Sequence, residues 1–537
     1  MRRALVLLLI LGCRNRHREE QPIREVKPVP PVATGSCTGE VVKTSNGCVR
    51  GAAQDALRVF RGIPFAAPPL GALRWKLPQP PAKWDVRDAM AFGPSCPQLA
   101  SPLNKDLVSN EDCLTLNVWA PKDAAQLPVM VWIHGGGLVQ GGAAQPTYDG
   151  ARLAADGKVV LVSINYRLGP LGFFAHPALT AEDTEHHASG NLGIHDQIAA
   201  LQWVQREIAG FGGDPHDVTI FGESAGAESV CTLMASPLAE GLFARAIIES
   251  APCPSYGKAL RPLHAGKPES AEDQGVRVAK AAGCDGADAL ACLRKKTPDE
   301  LLRASPAALG FLGKGEHYGL VVDGWLLRDA PAALLAAGKL ADVPVMIGTT
   351  KDEATLFTAK LRLRLPAVYA RIVKRIFPAG ADRVLKIYAP ERFGSPKQAF
   401  DALVTDVVFT CPARRAARAL QAKKPHVYRF VFAHARDATL GATHGSELPF
   451  VFGTVKQPSA DEAALARAMV GYWTRFAHTG DPNGRDAPAW LPYAPNTDVY
   501  LELAPRIATR ANVDSAGCDL LDTLVPAAEV PTEDQPD

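Results

Sequence analysis

The apolar residues of this chain fall into short dense runs separated by longer amphipathic stretches. VMVWI (129–133), VVLVSI (159–164), VTIF (218–221), AIIE (246–249), VPVMIG (343–348) and VYRFVF (427–432) are rich in Val and Ile, and several alternate little. Strands covered on both faces read this way, because neither side meets water. Between the runs the period changes. In NLGIHDQIAALQWVQREIAGF, Ile194, Ile198, Leu201, Val204 and Ile208 return to one side at helical spacing. ADEAALARAMVGYWTRFAHTG predicts a second such helix, with Gly480 placed to end it. Strand and helix in alternation predict an α/β fold: a large, mostly parallel sheet flanked by helices. Such sheets bind ligands beyond the carboxyl ends of their strands, so chemistry is sought there.

The two ends of the chain break this pattern. MRR followed by ALVLLLIL has the form of a signal peptide over residues 1–12, far short of the roughly 20 apolar residues of a bilayer span. It closes on ILGC, which resembles a bacterial lipobox. On that reading Cys13 is lipidated, and the exported chain is anchored to the membrane of the cell envelope. An ordinary export signal cut nearby would instead give a secreted protein. Residues 13–36, charged and proline-rich, read as a disordered tether, and 525–537 as a tail of the same character. The folded domain is expected over 37–524.

The 537 residues, 47% of them hydrophobic, are ample for a large buried core. A formal charge of +2 with mixed signs leaves no basic stripe for nucleic acid, and no internal repeat is visible. Of eleven cysteines, ten remain if Cys13 carries lipid. Proximity in sequence suggests Cys37 with Cys48, Cys96 with Cys113, and Cys284 with Cys292. Cys231, Cys253, Cys411 and Cys518 then allow three pairings, which spacing does not separate. Unpaired buried thiols, packing as small hydrophobes, are the alternative.

One strand end carries IFGESAGAES (220–229). Ser224 follows VTIF, precedes a plausible helix, and is flanked by Gly222 and Gly226. A sharp strand-to-helix turn needs small neighbours, projects its serine, and aims the N–H of Ala225 at the oxygen under attack. An ordinary polar turn is the plain reading of the same residues. An activated serine needs a base, and the base an orienting acid, in the chain order serine, acid, histidine. TTKDEATLF after the 343–348 run offers Asp352 and Glu353, which spacing does not separate. His434 and His444 are nearly even as the base, with His426 and His478 weaker. WIHGGG (132–137) places three glycines after a strand, where bare N–H groups can approach a developing oxyanion. His134 before them reads as a supporting group.

Together these motifs resemble the type-B carboxylesterases, the family that includes the cholinesterases. FGGDPHDVTIFGESAG (211–226) is similar to its serine signature and EDCLTLNVWAP (111–121) to its second signature. FRGIPFAAPPLGALRW, WIHGGG, NYRLGPLGF and NLGIHDQIAALQWV follow in the family's order between about residues 37 and 520. The resemblance implies an α/β-hydrolase fold, with catalytic Ser224, Glu353 and His444, and oxyanion donors Gly136, Gly137 and Ala225. It implies bridges Cys96–Cys113, Cys284–Cys292 and Cys411–Cys518. By subtraction Cys231 pairs with Cys253, and Cys37 with Cys48. Arg74 with Glu111, and Arg167 with Asp196, resemble the family's buried ion pairs.

The loop that holds the choline-binding tryptophan in cholinesterases is here PQLASPLNKDLVSNED, with no aromatic residue. That argues against choline esters, since a desolvated cation over a ring gains about 2 kcal/mol. The resemblance implies hydrolysis of small neutral carboxylic esters through an acyl-enzyme, with no metal or organic cofactor. An amidase, a lactonase or a non-catalytic surface protein on the same fold are the alternatives. A neutral base predicts activity fading as pH drops through roughly 6–7. Residues 97–112 and 305–320 are expected to line or cover the pocket.

Overall fold

Each of the six apolar runs becomes a strand of one sheet. The computed structural model describes residues 41–524, apart from 103, 252, 254–256, 262–268, 309–313, 423–425, 486 and 513–514. Cys13, Cys37 and the stretches expected as signal, tether and tail lie outside the described residues, as does the middle of the 305–320 stretch. The main sheet has eleven strands: β1 (Ala52–Gln54), β2 (Leu57–Pro64), β3 (Thr115–Pro121), β4 (Leu127–Ile133), β5 (Val160–Ile164), β6 (Gly213–Glu223), β7 (Arg245–Glu249), β8 (Val345–Thr350), β9 (Val427–Phe432), β10 (Tyr500–Leu503) and β11 (Ala508–Arg510). Their order across the sheet is β11-β10-β9-β8-β7-β6-β4-β5-β3-β2-β1. From β10 to β5 all neighbours run parallel. The outer pairs β5–β3, β3–β2, β2–β1 and β10–β11 are antiparallel. The centre is thus the expected parallel sheet, and the edges are the hairpins and meanders that parallel crossovers cannot make.

The helices that frame the sheet and the site include α1 (Leu192–Glu207), α2 (Ala225–Ala235), α3 (Pro366–Ile376), α4 (Pro396–Thr405), α5 (Cys411–Gln421), α6 (Ala460–Thr479) and α7 (Ser515–Leu524). Along β4 the side chains alternate. Val129, Val131 and Ile133 pack with Ile194, Ile198, Leu201 and Val204 of α1, Val230 of α2 and Leu420 of α5. Met130 and Trp132 pack in the opposite layer with Met469, Trp473 and Phe476 of α6. Burying each large apolar side chain contributes about 1.5–3 kcal/mol, which is why both faces are covered. The predicted helix that α1 realises ends at Glu207, and Ile208 is buried in a following 3₁₀ turn. α6 starts at a reciprocal Ser459–Glu462 cap and stops at Gly480, whose φ is 76°. A third core joins α3, α4 and α7 through Val373, Ile376, Phe400, Leu403 and Leu521.

Four disulfides are present among the described residues: Cys96–Cys113, Cys231–Cys253, Cys284–Cys292 and Cys411–Cys518. The last ties α5 to α7, and the Cys231–Cys253 bridge ties α2 to the segment just after β7. Arg74 grips Glu111 through two bonds of 2.5 and 2.6 Å, and Arg167 grips Asp196 at 2.8 and 2.7 Å. Among the described residues no helix is long and apolar enough to cross a membrane.

Candidate active site

β6 ends at Glu223, and Ser224 turns the chain into α2. Its φ of 57° and ψ of −126° are a sparsely populated conformation for a residue with a side chain. The turn survives because the residues two before and two after it carry no Cβ. A Cβ on Gly222 would fall 2.6 Å from the carbonyl carbon of Gly226, and one on Gly226 would fall 2.0 Å from the oxygen of Ile133. The backbone N–H of Ser224 donates to the carbonyl of Glu249 at 2.9 Å, which fixes the turn against β7. Ser224 keeps partial exposure while residues 221–223 and 225–227 are buried.

β8 leads into the loop that carries both acid candidates, and the structure separates them. Glu353 is fully buried; its Oε2 lies 2.5 Å from His444 Nδ1 and its Oε1 accepts the N–H of Thr350 at 2.7 Å. Asp352 instead accepts the N–H of Ala442 at 2.8 Å and so pins the loop that carries His444. The histidines separate too. His434 Nε2 lies 3.0 Å from Glu462, at the start of α6. His478 faces the Gly157 carbonyl at 3.0 Å. His444 is enclosed by the rings of Phe357 and Phe409, at 5.0 and 5.2 Å between centroids. Its Nε2 lies 3.1 Å from Oε1 of Glu223, the residue that adjoins Ser224.

The glycine run after β4 lies on the other side of this turn. A Cβ on Gly135 would sit 3.1 Å from Ser224 Cβ. Gly136 and Gly137 adopt φ of 116° and 67°, and a Cβ on Gly136 would fall 2.0 Å from the Gln140 oxygen. Among the described residues the N–H groups of Gly136, Gly137 and Ala225 have no protein acceptor. His134 is a prop: it stacks on Tyr166 at 4.4 Å, its Nδ1 lies 2.9 Å from the Gly135 carbonyl, and burial lowers its pKa to about 4. Gln98, from the aromatic-free loop, latches this run by bonding the N–H and C=O of Gly141, both at 2.7 Å.

The sequence motifs did not reveal a set of buried carboxyls behind the imidazole. Burial above all pushes Glu223 up to about 7 and Glu249 up to about 8, and lifts Glu447 well above the carboxylate range. Glu249 accepts from Trp473 Nε1 at 2.9 Å, and Glu447 from the Ser250 hydroxyl at 3.3 Å. Burial works to lower the His444 pKa, but Glu223 and Glu353 outweigh it and hold the ring up to about 9. The loss of activity expected at roughly 6–7 therefore moves upward. Glu223 does stand in the motif, one residue before the serine on a buried strand, and that position is its one local signal. Glu249 and Glu447 carry no local signal.

A mainly parallel sheet with a serine on a strained strand-to-helix turn, and a carboxylate–imidazole pair at neighbouring strand ends, defines an α/β hydrolase. The model of the carboxylesterase family matches residues 38–521. The chain is 36% identical to human cocaine esterase, over 93% of this chain and 90% of that protein. It is 35% identical to para-nitrobenzyl esterase of Bacillus subtilis (strain 168), over 89% of this chain and 97% of that one. A solved PNB esterase superposes with a TM-score of 0.77 at 33% identity, covering 90% of this chain and all of the other. The chain belongs to the carboxylesterase family.

Proposed function

We propose that this protein is a serine carboxylesterase that hydrolyses small neutral carboxylic esters, with Ser224, His444 and Glu353 as its triad. The carrying observation is the 2.5 Å contact of Glu353 with His444 Nδ1, in an imidazole whose other nitrogen lies 3.1 Å from Glu223, the residue next to Ser224. Ser224 Oγ attacks the ester carbonyl as His444 Nε2 takes its proton. Glu353 holds the ring in the tautomer that leaves Nε2 free and stabilises the imidazolium. The N–H groups of Gly136, Gly137 and Ala225 hold the tetrahedral oxyanion. The imidazolium then protonates the departing alcohol, and water, deprotonated by the same ring, releases the acid. The aromatic-free 97–112 loop supports neutral over cationic esters.

The four disulfides support export, because such bridges persist in oxidising compartments. Cys13 is the proposed lipidation site. Intact mass spectrometry with a fluorophosphonate tests the catalytic reading and the anchor together. One probe adduct on Ser224, none in Ser224→Ala, and an acylated N-terminus at Cys13 are expected. The same variant should lower kcat about a million-fold. Labelling that survives Ser224→Ala removes the serine assignment, and p-nitroanilides cleaved faster than matched p-nitrophenyl esters would make the protein an amidase.

A further inference from the structure

The esterase reading leaves one surface unused. Between Glu353 and Asp382 the chain carries Lys360, Arg362, Arg364, Arg371, Lys374 and Arg375 and no acidic residue. None of these six cations forms an ion pair with any described residue. Some cations elsewhere in this part of the chain have acidic partners. Lys397 is held by Asp401 at 2.6 Å, and Arg414 by Asp498 at 2.8 Å. The inner side of α3 buries Tyr369, Val373 and Ile376 in the third core, while Val368, Arg371, Lys374 and Arg375 face outward. Aliphatic side chains stand among the cations: Leu365 is 63% exposed, Leu356 42% and Val368 41%. Arg362 and Arg364 also line an open surface cavity of about 550 Å³, together with Ser395, Pro396 and Lys397 at the start of α4.

Cations without partners and leucines without cover satisfy different solvents. One environment suits both: phosphate headgroups for the guanidinium and ammonium groups, and the acyl boundary for the aliphatic tips. A nucleic acid would take the cations but leave the leucines in water. A second copy seated two-fold on this face would set unpaired cations against unpaired cations. We propose that the 356–375 face docks on an anionic lipid surface, with a headgroup phosphate in the cavity beside Arg362 and Arg364. The same segment includes Phe357, whose ring packs on His444, so docking sets the lipid surface against the segment that walls the imidazole. Docking itself does not depend on the esterase reading.

Vesicle co-sedimentation tests this with the full mature chain, Cys13→Ser in every variant so that no acyl anchor contributes. Phosphatidylcholine vesicles are compared with vesicles containing about a third phosphatidylglycerol. The expected result is partition onto the anionic vesicles at least about tenfold tighter than onto the neutral ones, lost in about 0.5 M salt. The triple variant Arg371→Glu, Lys374→Glu, Arg375→Glu should lose about tenfold or more, and Leu365→Ser should weaken binding several-fold. An unchanged rate on p-nitrophenyl acetate shows that each variant is folded. Binding of parent and triple variant that is equal, or absent from both vesicle types, overturns the proposal. So does a dimer in light scattering that the triple variant splits, or retention on nucleic acid in preference to vesicles.

Discussion

A Cβ on Gly226 would meet the Ile133 oxygen at 2.0 Å, and backbone cannot step aside as a side-chain tip can. Gly226→Ala should therefore cut kcat at least a hundredfold, measurable on any p-nitrophenyl ester, and lower the melting temperature as well. A near-normal kcat would show that the turn tolerates a side chain. His444, the proposed base, gives a second, pH-dependent test. A base must be neutral, so activity rises as pH climbs through the imidazole pKa. Burial pulls that pKa down, yet Glu223 and Glu353 hold it up to about 9. Glu223→Gln removes one of those charges and should move the acid limb of kcat/KM to lower pH. An acid limb that stays in place would show that Glu223 does not set the imidazole's charge.

Between elements, Glu249 of β7 and Trp473 of α6 form a polar contact inside the second core layer. The folded protein holds the Glu249 pKa up to about 8, chiefly by burial, against an ordinary 4.5. The native state thus binds this proton more tightly than the unfolded one. Its stabilising contribution is full below pH 4.5 and is lost as pH rises toward 8. Glu249→Gln keeps an oxygen for Trp473 and removes the charge. Calorimetry should show its melting point raised by a few degrees at pH 9 and unchanged near pH 4; equal shifts at both would rule out a charge effect. The Cys411–Cys518 bridge closes a separation of 107 residues between α5 and α7. Replacing both by serine should cost about 2–5 kcal/mol in denaturant unfolding. The apolar runs made the central strands legible because both faces of those strands are covered. β2 was not legible, since Leu57–Pro64 mixes buried and half-buried positions. Asp352 and Glu353 stayed indistinguishable from spacing alone, because what separates them is which partner each reaches: Ala442 or His444.

At the scale of the whole chain, one sheet gathers residues 224, 353 and 444 from three crossovers, and only the fold brings them together. The cysteine count carries a prediction here. Four bridges lie among the described residues, and Cys37 with Cys48 is the proposed fifth. Alkylation of the intact mature protein should modify none of these ten cysteines before reduction and all of them after, read by mass. A modified Cys48 without reduction would remove the fifth pairing. The carboxyl end of β4 has a wider consequence. The Ile133 carbonyl rests on the first turn of α2, and the glycine run follows it closely, so the proposed nucleophile and the proposed anion-binding amides are measured off one ruler. A change that slides this strand shifts both by the same amount. Loss of attack and loss of charge stabilisation should then arrive as a single defect, hard to separate by substitutions behind the strand.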